Sequence, residues 1–156
     1  MDEQDAATLR FSEFWRGAQH LNICEVESVL RGPFARMTAE KKFLPHLDRA
    51  YRHAFRFSKI RDVQALQQLR VALEDWEPPS SQGAALLDSD RLAPFEVAQL
   101  VNLFPESPEI AKALLPSLDR FQNADINSIL EILGQFANLQ PPSTIASSND
   151  FPSLPL

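Results

Sequence analysis

Apolar residues recur at helical spacing along most of this chain, and a few prolines and asparagines punctuate the period. The clearest stretch is residues 92–118. Pro94 suits a first helical turn, where its missing N–H is not needed, and Phe95, Ala98, Val101, Leu103 and Phe104 then follow at helical intervals. Pro105 stops that helix. Ser107 is placed to cap a second one, with Pro108 at its first position and Glu109 near the positive end of its dipole. Ile110, Ala113 and Leu114 are expected to face inward, and Pro116 ends the run.

The other helices follow from the same signals. Asn22 with Glu25 three residues on makes a capping box for a short helix over about 23–31, which Gly32 and Pro33 are expected to break. Phe43, Leu44, Leu47, Ala50, Tyr51, Ala54 and Phe55 form one stripe in a helix over 39–58, the longest expected; Pro45 should fall in its first turn, which puts the start of the regular helix near Leu44. Asp62 caps a helix whose Val63, Leu66, Leu69, Leu73 and Trp76 step by three and four. Glu74, Asp75 and Glu77 oppose the dipole at its end, so that end should fray. Asn123 should cap a last helix through Ile126, Ile129, Leu130, Leu133 and Phe136, with Gly134 its weak spot.

Only residues 7–11 alternate as a strand does. A single strand is not stable alone, so this one is expected to pair with a sheet on another chain. The fold expected is mainly α: a helical bundle over 39–139 with a mobile loop at about 77–90, preceded by an N-terminal arm over 1–38 carrying that strand. Residues 140–156 are rich in Pro and Ser without a period and read as a disordered tail. Phe151, Leu154 and Leu156 leave open a docking role for it.

Length and composition narrow the class. A chain of 156 residues with 44% hydrophobic content is the size of one domain. It has no apolar run near the roughly 20 residues of a membrane span. Met1 is followed by Asp2, Glu3 and Asp5, the opposite of a secretory leader's basic start. The single Cys24 excludes an internal disulfide and fits a reducing compartment.

Charge adds one sharp feature. Residues 36–61 hold eight basic side chains against Glu40 and Asp48, a local charge of +6 in a chain of net −6. Arg49, Arg52, Arg56, Lys59 and Arg61 are spaced to line one helix and its exit, and are the candidate RNA contacts. Charged runs are more often solvated faces, and the pattern offers no aromatic stacking platform, so the contact expected is weak and sequence-independent. Other chemistry is absent from the pattern. His20 and Cys24 are too few for zinc. His46 and His53 flank Arg49, which disfavours a bound cation. Four glycines make no phosphate loop. No catalytic, metal or cofactor residue is assigned, and no cofactor is expected.

Several of these residues together resemble the fourth-subunit family of eukaryotic RNA polymerase II, which has a counterpart among the subunits of archaeal RNA polymerase. The best-matching residues are Leu92, Pro94-Phe95-Glu96, Ala98, Leu100, Asn102-Leu103, Pro105-Glu106, Ala111-Lys112-Ala113-Leu114 and Pro116-Ser117-Leu118, continuing into Arg120-Phe121 and Ile129-Leu130. Asp5-Ala6, Glu25-Val26 and Ala54-Phe55-Arg56-Phe57-Ser58 match more loosely, in the family's order. The resemblance implies a non-enzymatic nuclear subunit with a domain like the helicase-and-RNase-D C-terminal (HRDC) domain. It implies a heterodimer with the polymerase's seventh subunit, docked on the polymerase core as a stalk near the RNA exit. It gives the lone strand and the surplus apolar residues of the arm a role: Leu9, Phe11, Phe14, Leu21, Ile23, Val26, Val29 and Leu30 become the candidate partner-binding residues. The run Asn102-Leu103-Phe104-Pro105-Glu106 favours the polymerase II branch over the paralogues of polymerase III and the plant polymerases. A free-standing HRDC-like nucleic-acid-binding module stands as the alternative.

Overall fold

The computed structural model describes residues 5–12, 18–60, 62–81 and 87–137. Over these the protein is mainly helical. Helix α1 is Ile23–Ala39, α2 Pro45–Phe57, α3 Val63–Glu74, α4 Pro94–Leu103, α5 Pro108–Leu114 and α6 Asn123–Ala137. Short 3-10 turns lie at Pro79–Ser81, Asp88–Asp90 and Pro116–Arg120.

The helix starts follow local chemistry. At α1 the Asn22 side chain accepts from the Glu25 N–H at 3.0 Å, and Glu25 accepts from the Asn22 N–H at 2.9 Å, the two halves of a capping box. Asp62 accepts from Gln64 N–H at α3, and Ser107 from Ile110 N–H at α5. Prolines open α2, α4 and α5. At α6 the expected cap is corrected: Asn123 is the first helical residue, and the Asp125 carboxylate accepts from the Gln122 N–H instead.

Three further expectations are corrected. Gly32 and Pro33 do not end α1, which is longer than α2. An interior proline costs a helix about 3 kcal/mol. Here Phe34, the next residue, and Met37, one turn on, are buried against Tyr51, with the Phe34 and Tyr51 rings stacked at 4.2 Å. Trp76 lies just past the end of α3 rather than in its stripe, buried edge-on to Phe121, with its indole N–H on Ser128 Oγ at 2.8 Å. In α5 the inward residue is Ala111, with Leu115 after it, while Ile110 and Leu114 are 44% and 48% exposed. The smallest side chain faces the core, which lets this short helix lie close.

Two apolar clusters result. The larger joins α3, α4 and α6 through Leu66, Leu69, Leu73, Leu100, Val101, Leu118, Ile126 and Ile129, and Cys24 of α1 belongs to it. The smaller lies between α1 and α2: Phe34, Met37 and Tyr51, flanked by Leu30, Leu47 and Phe55. Helix α1 therefore has its N-terminal half in one cluster and its C-terminal half in the other.

A buried ionic group fixes the second half of the bundle. Glu96 has no exposed surface. It accepts from Ala93 N–H, from Ser117 Oγ at 2.6 Å and from both terminal nitrogens of Arg120. Arg120 also donates to the carbonyls of Ser89, Arg91 and Ser117. Between 77 and 90, Ser80 is tied by its N–H and hydroxyl to the buried Asp125. Residues 82–86 and the tail over 140–156 lie outside the described residues, as do the expectations made for them.

Candidate partner and nucleic-acid surfaces

The arm begins differently from its sequence pattern. Residues 7–11 do not form a strand in this chain. Residues 6–9 form a turn closed by an antiparallel bridge between Asp5 and Arg10. The Asp5 carboxylate holds that turn, accepting from Ala7 N–H and Thr8 Oγ1, and Leu9 takes a φ of 56°. A short Asp side chain that satisfies the local backbone competes well with an extended segment lacking a sheet.

The arm then docks on the bundle at a few points. Phe11 lies 5.5 Å from Phe95 of α4, ring centre to ring centre, and 6.5 Å from His20. Arg70 of α3 grips Glu25 with two hydrogen bonds and donates to the His20 carbonyl at 2.8 Å. That hydrogen bonding to Glu25 raises the Arg70 pKa above its ordinary value, so the guanidinium stays charged. The Ile23 N–H donates to Asn102 of α4 at 2.8 Å, and the Ile60 N–H to Cys24 Sγ. His20 thus precedes α1, while Cys24 lies in its first turn and is buried.

Against this frame the candidate partner residues divide. Phe14 lies outside the described residues. Leu9, Phe11, Ile23, Val26 and Leu30 are half-buried, while Leu21 is 44% and Val29 63% exposed. None of the seven described is buried. Val29 points away from the core face of α1, which is made by Cys24, Glu27, Phe34 and Met37. Gly32, on the same outward side, has nothing within 4 Å of where a Cβ would stand. At Val29 and Gly32 the outer side of α1 is therefore apolar, small and open, with the exposed Arg36 one turn beyond Gly32. Glu27 on the core side is buried, and its charge is met by two bonds from Arg31.

The candidate RNA contacts sit on α2 and its exit. Arg49, Arg56 and Lys59 are exposed, Arg52 is bonded to Asp48 at 2.8 Å, and Arg61 lies outside the described residues. An aromatic does accompany them, contrary to expectation. Phe57 is 48% exposed, with the His53 ring 4.7 Å and the Arg56 guanidinium 5.6 Å from its centre. Phe57 lies outside the apolar stripe that ends at Phe55, and its exposure is set by how α2 packs on α1. Among the described residues, no group of three or more His, Cys, Asp or Glu side chains is placed to hold a metal ion. Nor is any helix among them long and apolar enough to cross a membrane.

Comparison with known proteins gives a consistent answer. The family model described as RNA polymerase Rpb4 matches residues 20–137. The chain is 26% identical over 150 residues to the DNA-directed RNA polymerase II subunit rpb4 of Dictyostelium discoideum, covering 85% of this chain and 88% of that one. It is also 26% identical over 122 residues to DNA-directed RNA polymerase II subunit 4 of Arabidopsis thaliana, covering 75% of this chain and 78% of that one.

Proposed function

The chain belongs to the RNA polymerase Rpb4 family, and from that membership we propose that it is a non-catalytic, nuclear subunit of RNA polymerase II. In this reading it pairs with the seventh subunit to form the stalk beside the RNA exit, and supports initiation and handling of the transcript. The relatives' names supply the polymerase II assignment. The observation that carries the pairing is the unfinished surface of the arm and α1. Leu21 and Val29 stand in solvent, and none of the described candidate residues is buried. Val29 lies on a strip that no neighbour among the described residues covers.

Co-expression with a seventh-subunit homologue tests this. A stable one-to-one complex is expected. Fully burying one side chain of this size contributes about 1.5–3 kcal/mol, so Val29→Asp is expected to weaken the complex at least tenfold while leaving the isolated chain folded. A chain that remains monomeric and shows no affinity for the homologue would defeat the proposal.

A further inference from the structure

We infer that the outer face of α2 is a contact for single-stranded nucleic acid, with Phe57 as the stacking surface and Arg49, Arg56 and Lys59 holding phosphates. The inference does not depend on the polymerase assignment. Tyr51 and Ala54 are buried towards α1, with Leu47 half-buried beside them. Arg49, His53 and Arg56 step by four and three along the other side, Phe57 stands one turn beyond His53 with the rings 4.7 Å apart, and all four are exposed. From Arg49 to Phe57 the helix rises about 12 Å, enough for a strand to lie across several of them.

Charge and shape both favour this occupant. The segment over 36–61 carries +6, which leaves −12 for the rest of the chain, so a polyanion is attracted here and repelled elsewhere. Asp48, an acid on the same helix, is already engaged by Arg52. The ring of Phe57 is the less expected feature. The packing of α1 on α2 does not enclose it, and a large aromatic half in water at the end of a basic stripe has no task in the core. Unpaired bases stack on such rings with little sequence preference, while flanking cations take the phosphates. A duplex keeps its base faces covered, and an acidic peptide satisfies the charges without needing the ring.

The test uses the full chain and a fluorescein-labelled single-stranded RNA of about 16 nucleotides, the upper site size of one OB fold and ample for a face of about 12 Å, read by anisotropy at low salt. Phe57→Ala is expected to weaken binding about fivefold or more, and Phe57→Tyr to retain it. Arg49→Glu with Arg56→Glu is expected to weaken binding and to flatten the salt dependence by about 0.7 log units per log of salt for each phosphate no longer neutralised. These residues are exposed, and circular dichroism verifies that each variant is folded. Wild-type affinity in folded Phe57→Ala overturns the inference. So does a duplex or a polyglutamate competitor binding as tightly as the single strand, or no binding by the wild-type chain.

Discussion

Removing the guanidinium of Arg120 perturbs the bundle where it is most tightly specified. Arg120 uses all five of its N–H donors: two on Glu96, and one each on the carbonyls of Ser89, Arg91 and Ser117. Its side chain is 23% exposed, whereas Glu96 is fully enclosed. Arg120→Ala therefore strands a carboxylate whose remaining donors are the Ala93 N–H and the Ser117 hydroxyl. Breaking a buried pair by removing one partner costs about 3–5 kcal/mol. Water reaching the partly open side of this pair puts the expectation at the lower end, about 3 kcal/mol. With a urea dependence of about 1–3 kcal/mol per molar, the unfolding midpoint falls by about 1–3 M. Against a total stability of about 5–15 kcal/mol, that is a large share. Glu96→Gln combined with Arg120→Met removes both charges and keeps an acceptor for Ser117, so it is expected to cost less than the two single changes added together. An unchanged midpoint for Arg120→Ala, or strict additivity in the double variant, would refute the reasoning.

Two smaller effects are expected. Gly134 lies inside α6 with open space where a Cβ would stand, so Gly134→Ala should stabilise by about 0.5–1 kcal/mol, read as a thermal midpoint higher by about 1–4 °C. The Glu109 carboxyl is held below its ordinary pKa by its own backbone N–H at the start of α5, then by the Ser107 hydroxyl, with attraction from Lys112 a lesser cause. A carboxyl depressed in the folded state stabilises above its unfolded value, about 4.3, and that contribution is lost as pH falls through the folded value. Glu109→Gln should therefore flatten the acid limb of stability below about pH 4.3, as followed by fluorescence across an acid titration.

The parts of the fold legible in the sequence are those fixed by neighbours along the chain. The capping box at Asn22, the cap at Asp62 and the corner made by Pro94, Pro105, Ser107 and Pro108 all stand as local chemistry dictates. Phe104, directly before Pro105, takes a left-handed φ of 47° and closes α4. What escaped the sequence depends on distant partners. Pro33 reads as a stop until Tyr51 is seen stacked on Phe34. Asp125 reads as an ordinary helical acid until Ser80 is found bonded to it across the fold. Glu96 reads as a carboxylate favouring a helix start, and that is half its role; Arg120, 24 residues on, supplies the other half. The candidate surfaces were legible as residue types, but exposure was not: Phe57 and Val29 are known as outward-facing only once α1 and α2 are paired.

The interior proline of α1 sits where that helix passes from one apolar cluster to the other. Residue 33 has no N–H to give the carbonyl four positions back, that of Val29, so the ladder lacks a rung at the outward strip. Beyond that gap, the far end of α1 packs on α2 through Phe34, Met37 and Tyr51, with Leu30, Leu47 and Phe55 beside them. Bending is cheapest at such a gap. A load placed on this hairpin is therefore expected to be taken up first as a bend of α1 at residue 33, with Ile60 at the exit of α2 still seated in the body.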